Sequence, residues 1–152
     1  MQKALCKQYR KFSNIMHCRI NFLCDTLVFG IRKREGIALH TALLVLQSED
    51  FRFAMKEALQ EYFHVIVAQD AASGVALLQE SPDILMLDLF LPQTNGLQFL
   101  EENSRYIPPV ALLFTPLDDA PVLDAAFELG IKKAFMKPGS IAAVLRWLEK
   151  QL

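Results

Sequence analysis

The fold is decided by the stretch DILMLDLFLPQTNG at residues 83–96. The residues before Asp88 form an apolar run that has the length of a strand and the composition of one buried on both faces. Behind Asp88, the Pro92–Gly96 segment has the composition of a turn or loop. A strand that ends in this way places the Asp88 carboxylate at the carboxyl edge of a parallel sheet, where ligands and chemistry collect in open α/β folds.

The flanking sequence alternates between short apolar runs, typical of buried strands, and segments with apolar residues at spacings of three and four, typical of amphipathic helices. Right-handed crossovers between five such pairs place helices on both faces of a parallel sheet. Helix caps are predicted at Asp70, at Asp118 or Asp119, and at Ser140. The predicted strands are 42–46, 63–68, 84–88, 109–114 and 131–136, and the predicted helices are 50–61, 71–80, 96–104, 118–130 and 140 onward.

Charge divides the chain into two parts. Up to Gly36 there are eight basic and two acidic residues, a net charge of +6, whereas the remainder has eight basic and fifteen acidic residues, a net charge of −7. A shift of this size marks a boundary near residues 36–40. We therefore predict a basic N-terminal extension over residues 1–40 and one α/β domain over residues 41–152. A hydrophobic content of 53% places that domain in the globular class.

The cysteines and the apolar segments indicate the cellular compartment of the protein. Cys6, Cys18 and Cys24 all lie in the basic extension, are odd in number and lack CxxC spacing, which argues against a disulfide scaffold or a zinc finger. The apolar run from Ile20 to Ile31 is too short for a membrane span and is badly placed for a secretory signal. These features predict a protein of the reducing cytoplasm.

Three residues that can carry chemistry fall at the ends of three predicted strands. Asp88 ends the third strand, Thr115 ends the fourth, and Lys137 with Pro138 follows the fifth. Each is a weak signal alone, but the combination in this order is specific. From Thr41 to Leu152 the chain resembles the receiver domain of bacterial two-component response regulators, the CheY-like superfamily. The resemblance implies an α/β, flavodoxin-like (βα)5 doubly wound parallel sheet with strand order 2-1-3-4-5.

The resemblance also implies the chemistry of these residues. Asp88 would accept a phosphoryl group from a histidine kinase or a phosphotransfer protein, in a transfer that depends on positioning and charge neutralisation. Lys137 would bring a cation to the phosphoryl oxygens, and Thr115 would donate a hydroxyl hydrogen bond to them. Asp88 and the backbone carbonyl of Phe90 would bind Mg²⁺. The Lys137–Pro138 bond would be a candidate cis peptide.

The chain departs from the family pattern around the predicted metal site. The two adjacent acids that end the first strand in the family are here Gln47 and Ser48. Mg²⁺ prefers carboxylate oxygens, so two lost charged contacts would weaken its binding by about 3–6 kcal/mol. We therefore expect Mg²⁺ to be weakly bound or absent, with Glu49 as a further candidate ligand. Pro116 and Ala134 also differ from the small residue and the aromatic switch residue usual at their positions.

Two functions follow from the resemblance. The first is a receiver that relays a histidine-kinase signal through a phosphate on Asp88, which makes the chain a signalling domain rather than an enzyme. The alternative is a degenerate receiver that acts as a protein-interaction module without phosphorylation. A flavin carrier of the same architecture is disfavoured, because the loop at residues 47–51 has no glycine and carries two acids that repel phosphate.

The expected partners follow from the same resemblance. An output protein is expected to bind the face formed by the last two helices and the fifth strand. Because the last predicted helix reaches Leu152, output is expected through another protein or through a part missing from this chain. Nucleic-acid binding is not expected of the receiver-like domain, whereas the basic extension is a separate candidate for it.

Overall fold

The computed structural model describes residues 39–137 and 141–152. Residues 39–137 form one compact unit, and residues 141–152 belong to a second unit, so helix α5 is described by itself. The elements are, in chain order, β1 (Thr41–Val45), α1 (Glu49–Leu59), β2 (His64–Ala68), α2 (Ala71–Leu78), β3 (Ile84–Asp88), β4 (Phe90–Leu91), β5 (Thr94–Asn95), α3 (Gly96–Glu102), a 3₁₀ turn (Ser104–Tyr106), β6 (Val110–Thr115), α4 (Ala120–Glu128), β7 (Lys133–Met136) and α5 (Ile141–Gln151).

The main sheet is parallel and has the strand order β2-β1-β3-β6-β7. When only these strands are counted, the order is 2-1-3-4-5, so the predicted flavodoxin-like topology is confirmed. Strand β3 lies in the middle of the sheet, pairs with β1 and β6, and is buried along its whole length. This position explains its near-continuous apolar sequence, because both its faces and both its edges are covered.

One face of the sheet packs into a hydrophobic core. Alternate residues of β1, β3 and β6 point to this face, since successive side chains of a strand point to opposite sides. They pack together with Leu78 of α2, Phe99 and Leu100 of α3, and Ala126 of α4. The strand residues in this core are Leu43, Val45, Leu85, Leu87, Ala111 and Leu113.

Local sequence signals set the helix starts. Asp70 caps α2 as predicted, because its carboxylate accepts the backbone N–H of Ser73 at 2.8 Å while the Ser73 hydroxyl accepts the backbone N–H of Asp70 at 3.3 Å. Hydrogen bonds from the Ser73 backbone and hydroxyl lower the pKa of the exposed Asp70 carboxyl. Asp119 occupies the cap position of α4, but its side chain makes no capping bond. The predicted cap Ser140 lies outside the described residues.

Several element boundaries differ from the predictions. Strand β6 begins at Val110, one residue after Pro109, because proline has no N–H to donate to a ladder. Strand β7 begins at Lys133, not at residue 131, and α3 ends at Glu102 before a separate 3₁₀ turn. The antiparallel pair β4–β5 was not predicted, since two-residue strands have no periodicity, and Gln93 in its turn has a positive φ of 68°.

Gly96 is the point at which α3 begins directly behind the end of β3. Its N–H donates to the Leu89 carbonyl at 2.6 Å. A Cβ at this position would lie 2.7 Å from the Asp88 carbonyl oxygen and 3.1 Å from the Leu89 Cα. Both atoms belong to backbone and cannot turn aside, so glycine is needed here for close approach. The spacing between α3 and the end of β3 therefore depends on this glycine.

We expect Gly96→Ala to lower the free energy of unfolding by about 1–3 kcal/mol, because the added methyl group overpacks against backbone. Gly74→Ala is the matched control, since a Cβ there would meet side-chain atoms of Val45 and Phe99 at 3.2 and 3.3 Å, which can shift. Urea denaturation followed by circular dichroism measures both. Equal stability of Gly96→Ala and the wild-type protein would contradict the close approach.

The remaining predictions fall partly outside this description. In α5 the residues Ile141, Val144, Leu145 and Leu148 are buried and recur at spacings of three and four, as in an amphipathic helix. Among the described residues, no helix has the length and apolar character needed to cross a membrane. The basic extension, its cysteines and the Lys137–Pro138 peptide bond lie outside the described residues.

Candidate functional site

The Asp88 carboxylate is the centre of the candidate site. It ends β3 at the carboxyl edge of the sheet, and the residue is only 2% exposed. Its Oδ2 atom accepts the backbone N–H of Gln47 at 2.7 Å. Its Oδ1 atom lies 2.6 Å from the Nζ atom of Lys137. The segments that follow β1 and β7 therefore contribute one hydrogen-bond donor and one positive charge to a buried carboxylate.

Lys137 reaches this carboxylate from the residue after β7. Its backbone N–H donates to the Thr115 carbonyl at 2.8 Å, which fixes the base of the side chain. The side chain is 25% exposed, whereas that of Asp88 is 3% exposed. Asp88 Oδ1 is buried and makes no hydrogen bond of acceptable geometry, even though the ammonium is at contact distance. We regard the contact as an ion pair, because the distance fits one and the angles do not fit a hydrogen bond.

Thr115 lies at the same edge of the sheet but faces a different partner. It ends β6 and is fully buried, one residue beyond Phe114, which pairs with Asp88 across the strands. Its hydroxyl accepts the backbone N–H of Leu117 at 3.0 Å and lies 3.4 Å from the Leu117 carbonyl. The hydroxyl therefore holds the β6–α4 loop in this structure. Its predicted bond to a phosphoryl group remains a prediction.

The other predicted metal ligands lie apart from the carboxylate. Ser48 caps α1, and its hydroxyl accepts the backbone N–H of Phe51 at 3.3 Å. Glu49 is the first residue of α1 and is exposed, and in the described chain no hydrogen bond or ion pair links it to Asp88. The Phe90 side chain is 46% exposed. The backbone carbonyl of Phe90 remains a predicted ligand.

These residues do not fit a magnesium site. Mg²⁺ takes oxygen ligands in near-octahedral geometry and usually depends on carboxylates. Over residues 39–137 and 141–152, no group of three acidic, histidine or cysteine side chains is close enough together to hold a metal ion. One carboxylate oxygen of Asp88 accepts the backbone N–H of Gln47, and the other lies against the ammonium of Lys137. A divalent cation that bound Asp88 Oδ1 would have to displace Lys137.

Two residues at the start of α1 also belong to this region, although the sequence analysis did not identify them. The Nζ atom of Lys137 lies 5.0 Å from the ring centroid of Phe51. The Arg52 guanidinium donates through Nη1 to the Leu46 carbonyl at 2.9 Å, beyond the end of β1. Helical periodicity assigned Phe51 to the inner stripe of α1, and the only sequence signal for either role was nearness to the end of the first strand.

An aromatic stack connects the candidate site to β7. The Phe51 ring meets Phe114 edge-on at a centroid distance of 5.1 Å, and Phe114 stacks on Phe135 at 5.9 Å. Such pairs are stabilising at these distances. Phe135 is the neighbour of Ala134, where the family resemblance led us to look for an aromatic residue. The ring in β7 is therefore present one position later and packs against β6.

The sequence of this chain matches a known protein family. Residues 42–149 match the family model for the response regulator receiver domain. The chain belongs to that family. It is therefore a receiver domain of two-component signalling, as the resemblance predicted. The match covers the main sheet from Ala42 onward and excludes the basic extension.

Two relatives illustrate the proteins in which such a receiver domain occurs. The transcriptional regulatory protein CpxR of Klebsiella pneumoniae is 31% identical over 124 residues, which cover 74% of this chain and 53% of CpxR. The protein-glutamate methylesterase/protein-glutamine glutaminase 3 of Burkholderia thailandensis is 30% identical over 111 residues, covering 69% of this chain and 31% of that protein. The chain thus spans only part of the length of these relatives.

Solved structures show the same fold. The CheY-like receiver domain protein of Methanospirillum hungatei superposes with a TM-score of 0.69 at 20% identity, covering 75% of this chain and 94% of that one. The chemotaxis protein CheY4 of Vibrio cholerae gives a TM-score of 0.68 at 23% identity, covering 76% and 100%. At this level of identity the likeness supports the architecture alone.

The Asp88–Lys137 ion pair gives a testable stability effect. We expect Lys137→Met to lower the free energy of unfolding by about 1–3 kcal/mol, because it leaves a buried carboxylate without its cation while Lys137 itself is partly solvated. The double variant Asp88→Asn/Lys137→Met should recover part of that loss, since the amide carries no charge. Lys132→Met, at an exposed lysine, is the control. Chemical denaturation of all variants measures the coupling, and strictly additive effects would contradict the pair.

Proposed function

We propose that this receiver domain relays a histidine-kinase signal by accepting a phosphoryl group on Asp88. The observation that carries the proposal is the buried Asp88 carboxylate at the end of β3 with the Lys137 ammonium 2.6 Å away. A nucleophile beside a compact cation is the arrangement that phosphoryl transfer needs, because the enzyme or acceptor contributes mainly positioning and charge neutralisation.

The transfer balances without any further reagent. A carboxylate oxygen of Asp88 attacks the phosphorus of a phosphohistidine on the partner, the P–N bond breaks, and its electron pair returns to the imidazole nitrogen. The new bond is an acyl phosphate. Lys137 would neutralise charge on the phosphoryl oxygens, and its flexible four-carbon stem allows the ammonium to follow them as they arrive.

Access to the carboxylate requires movement of Lys137. Asp88 is nearly inaccessible, whereas the Lys137 side chain keeps a quarter of its surface in solvent. The lysine can therefore move outward without a change in the sheet. We propose that Thr115 then exchanges its bond to Leu117 for one to the phosphoryl group, which would shift the β6–α4 loop. This loop movement would carry the signal to an output protein.

A second candidate is a receiver that binds its partner without phosphorylation. Two observations favour it: both oxygens of Asp88 are already in contact with a partner, and Gln47 and Ser48 replace the acid pair. In this case the α/β body would serve as a docking module, and Asp88 would stabilise the strand end. The expectation that the chain is not an enzyme belongs to either candidate and remains a prediction.

Intact-mass measurement after incubation with acetyl phosphate and MgCl₂ tests the first candidate. We expect the mass of one phosphoryl group to be added to the wild-type chain, to be lost on acid or hydroxylamine treatment, and to be absent from Asp88→Asn. Asp50→Asn is the matched control, because Asp50 is an exposed acid near the same strand edge. No added mass in the wild type, or equal addition in Asp88→Asn, would rule out Asp88 as the acceptor.

Partner binding tests the second candidate. If the domain is a phosphorylation-independent module, Asp88→Asn should bind the partner with the affinity of the wild-type chain, whether or not a phosphodonor is present. Isothermal titration with a purified partner measures this. A donor-dependent difference in affinity between the two chains would exclude this candidate and support the first.

A further inference from the structure

We infer that Phe51 is a positioning residue that holds the Lys137 ammonium against Asp88, so that the protein's own cation takes the place of a divalent metal ion at this carboxylate. The inference concerns the same site as the proposed function and rests on it for its role in signalling. Its physical content, an immobilised ammonium and no bound metal, can be tested without any phosphoryl transfer.

The ammonium is held from two directions. Asp88 Oδ1 lies 2.6 Å from Nζ, and the centroid of the Phe51 ring lies 5.0 Å from the same atom. A cation within about 6 Å of a ring centroid is attracted by the negative face of the π system. The backbone of Lys137 is fixed at its N–H by the Thr115 carbonyl. The ring and the carboxylate together therefore restrict the long side chain to one position.

The ring is itself held firmly. The backbone N–H of Phe51 donates to the hydroxyl of Ser48, the cap of α1, which fixes the first turn of that helix. On its inner side the ring packs edge-on against Phe114, which is 1% exposed and stacks on Phe135. Phe51 therefore presents a rigid surface to the lysine. A flexible aliphatic side chain at this position would fill space but would not attract the ammonium.

The surroundings of the carboxylate disfavour a metal ion. Gln47 contributes a backbone N–H to Asp88, where a metal ion would need an oxygen ligand. Arg52 adds a second positive charge at the end of β1 through its bond to the Leu46 carbonyl. A divalent cation entering here would meet two fixed cations and one carboxylate. The negative charge of Asp88 is already balanced by Lys137, so the absence of the acid pair does not leave this carboxylate uncompensated.

Amine-reactivity footprinting tests this inference on the whole chain. The protein is treated with limiting N-hydroxysuccinimidyl acetate, and the acetylation rate of each lysine is read by peptide mass spectrometry. The neutral amine attacks the carbonyl of the reagent and N-hydroxysuccinimide leaves, so an ammonium that is paired and packed on a ring reacts slowly. We expect Lys137 to react more slowly than the exposed Lys56 and Lys132, which serve as internal references.

Variants of Phe51 separate positioning from simple packing. We expect Phe51→Leu to accelerate acetylation of Lys137 by about two- to fivefold through loss of the ring, with Lys56 and Lys132 unchanged. Phe51→Tyr keeps the ring and should retain the slow rate. Phe53→Leu, at a ring in the same helix that is 55% exposed, is the matched control and should have no effect. An unchanged Lys137 rate in Phe51→Leu would overturn the positioning role.

Two further arms complete the test. If Phe51→Leu accelerates all lysines, it has loosened the fold, and Phe51→Met replaces it because methionine keeps comparable volume without a ring. For the metal, the Lys137 rate in excess MgCl₂ is compared with the rate in EDTA at matched ionic strength. We expect equal rates. Acceleration specific to MgCl₂ would show that the metal ion displaces Lys137 and would overturn the metal-independent site.

Failure of this inference and failure of the proposed function give different results. A mobile Lys137 with normal phosphorylation of Asp88 would refute the role of Phe51 alone. An immobilised Lys137 with no phosphorylation would support the positioning role of Phe51 and would favour the docking module. The labelling rates and the intact mass are independent measurements on the same preparation.

Discussion

A single negative charge buried at the end of the central strand constrains the rest of this receiver domain. An isolated carboxylate in a dry environment is costly, so Asp88 must be given partners by the surrounding chain. One oxygen takes an N–H from the residue that follows β1, and the other takes the ammonium that follows β7. The strand order brings these segments to one edge, because parallel strands that are far apart in sequence all end on the same side of the sheet. The partners that Asp88 needs are therefore supplied by the topology of the sheet.

Residues at this edge of the sheet also pack against the body of the domain. Gly96 allows α3 to begin against the backbone of Asp88, and the ring of Phe51 rests on Phe114 of β6. A change at the Asp88 carboxylate would therefore affect two packing contacts, the one at Gly96 and the one at Phe51. A glycine contact fixes the backbone on one side, and an aromatic stack extends to β7 on the other. Displacement of Lys137 would act on both the β6–α4 loop and this stack.

Most of the fold could be predicted from the sequence, because buried strands and amphipathic helices each give a recognisable spacing of apolar residues. The apolar run before Asp88 and the cap at Asp70 are local signals of this kind. The hairpin at β4–β5 could not be predicted, since it depends on a positive φ at Gln93 and has strands of two residues. The roles of Phe51 and Arg52 were missed for a different reason. Periodicity says which face of a helix is buried, but it does not say that a half-buried ring lies beneath a lysine from a distant segment.

The way in which a buried carboxylate is neutralised determines what controls it. In a site that depends on a metal ion, acidic side chains repel one another until the ion binds, so occupancy follows the free concentration of that ion. In this domain Lys137 is covalently part of the chain and lies close to Asp88 and Phe51, so our proposal predicts that the charge of Asp88 is balanced at any magnesium concentration. If Asp88 is phosphorylated as we propose, the arriving phosphoryl group competes with Asp88 for the ammonium of Lys137. The free energy of that competition then depends on how strongly Asp88 and the Phe51 ring hold the lysine.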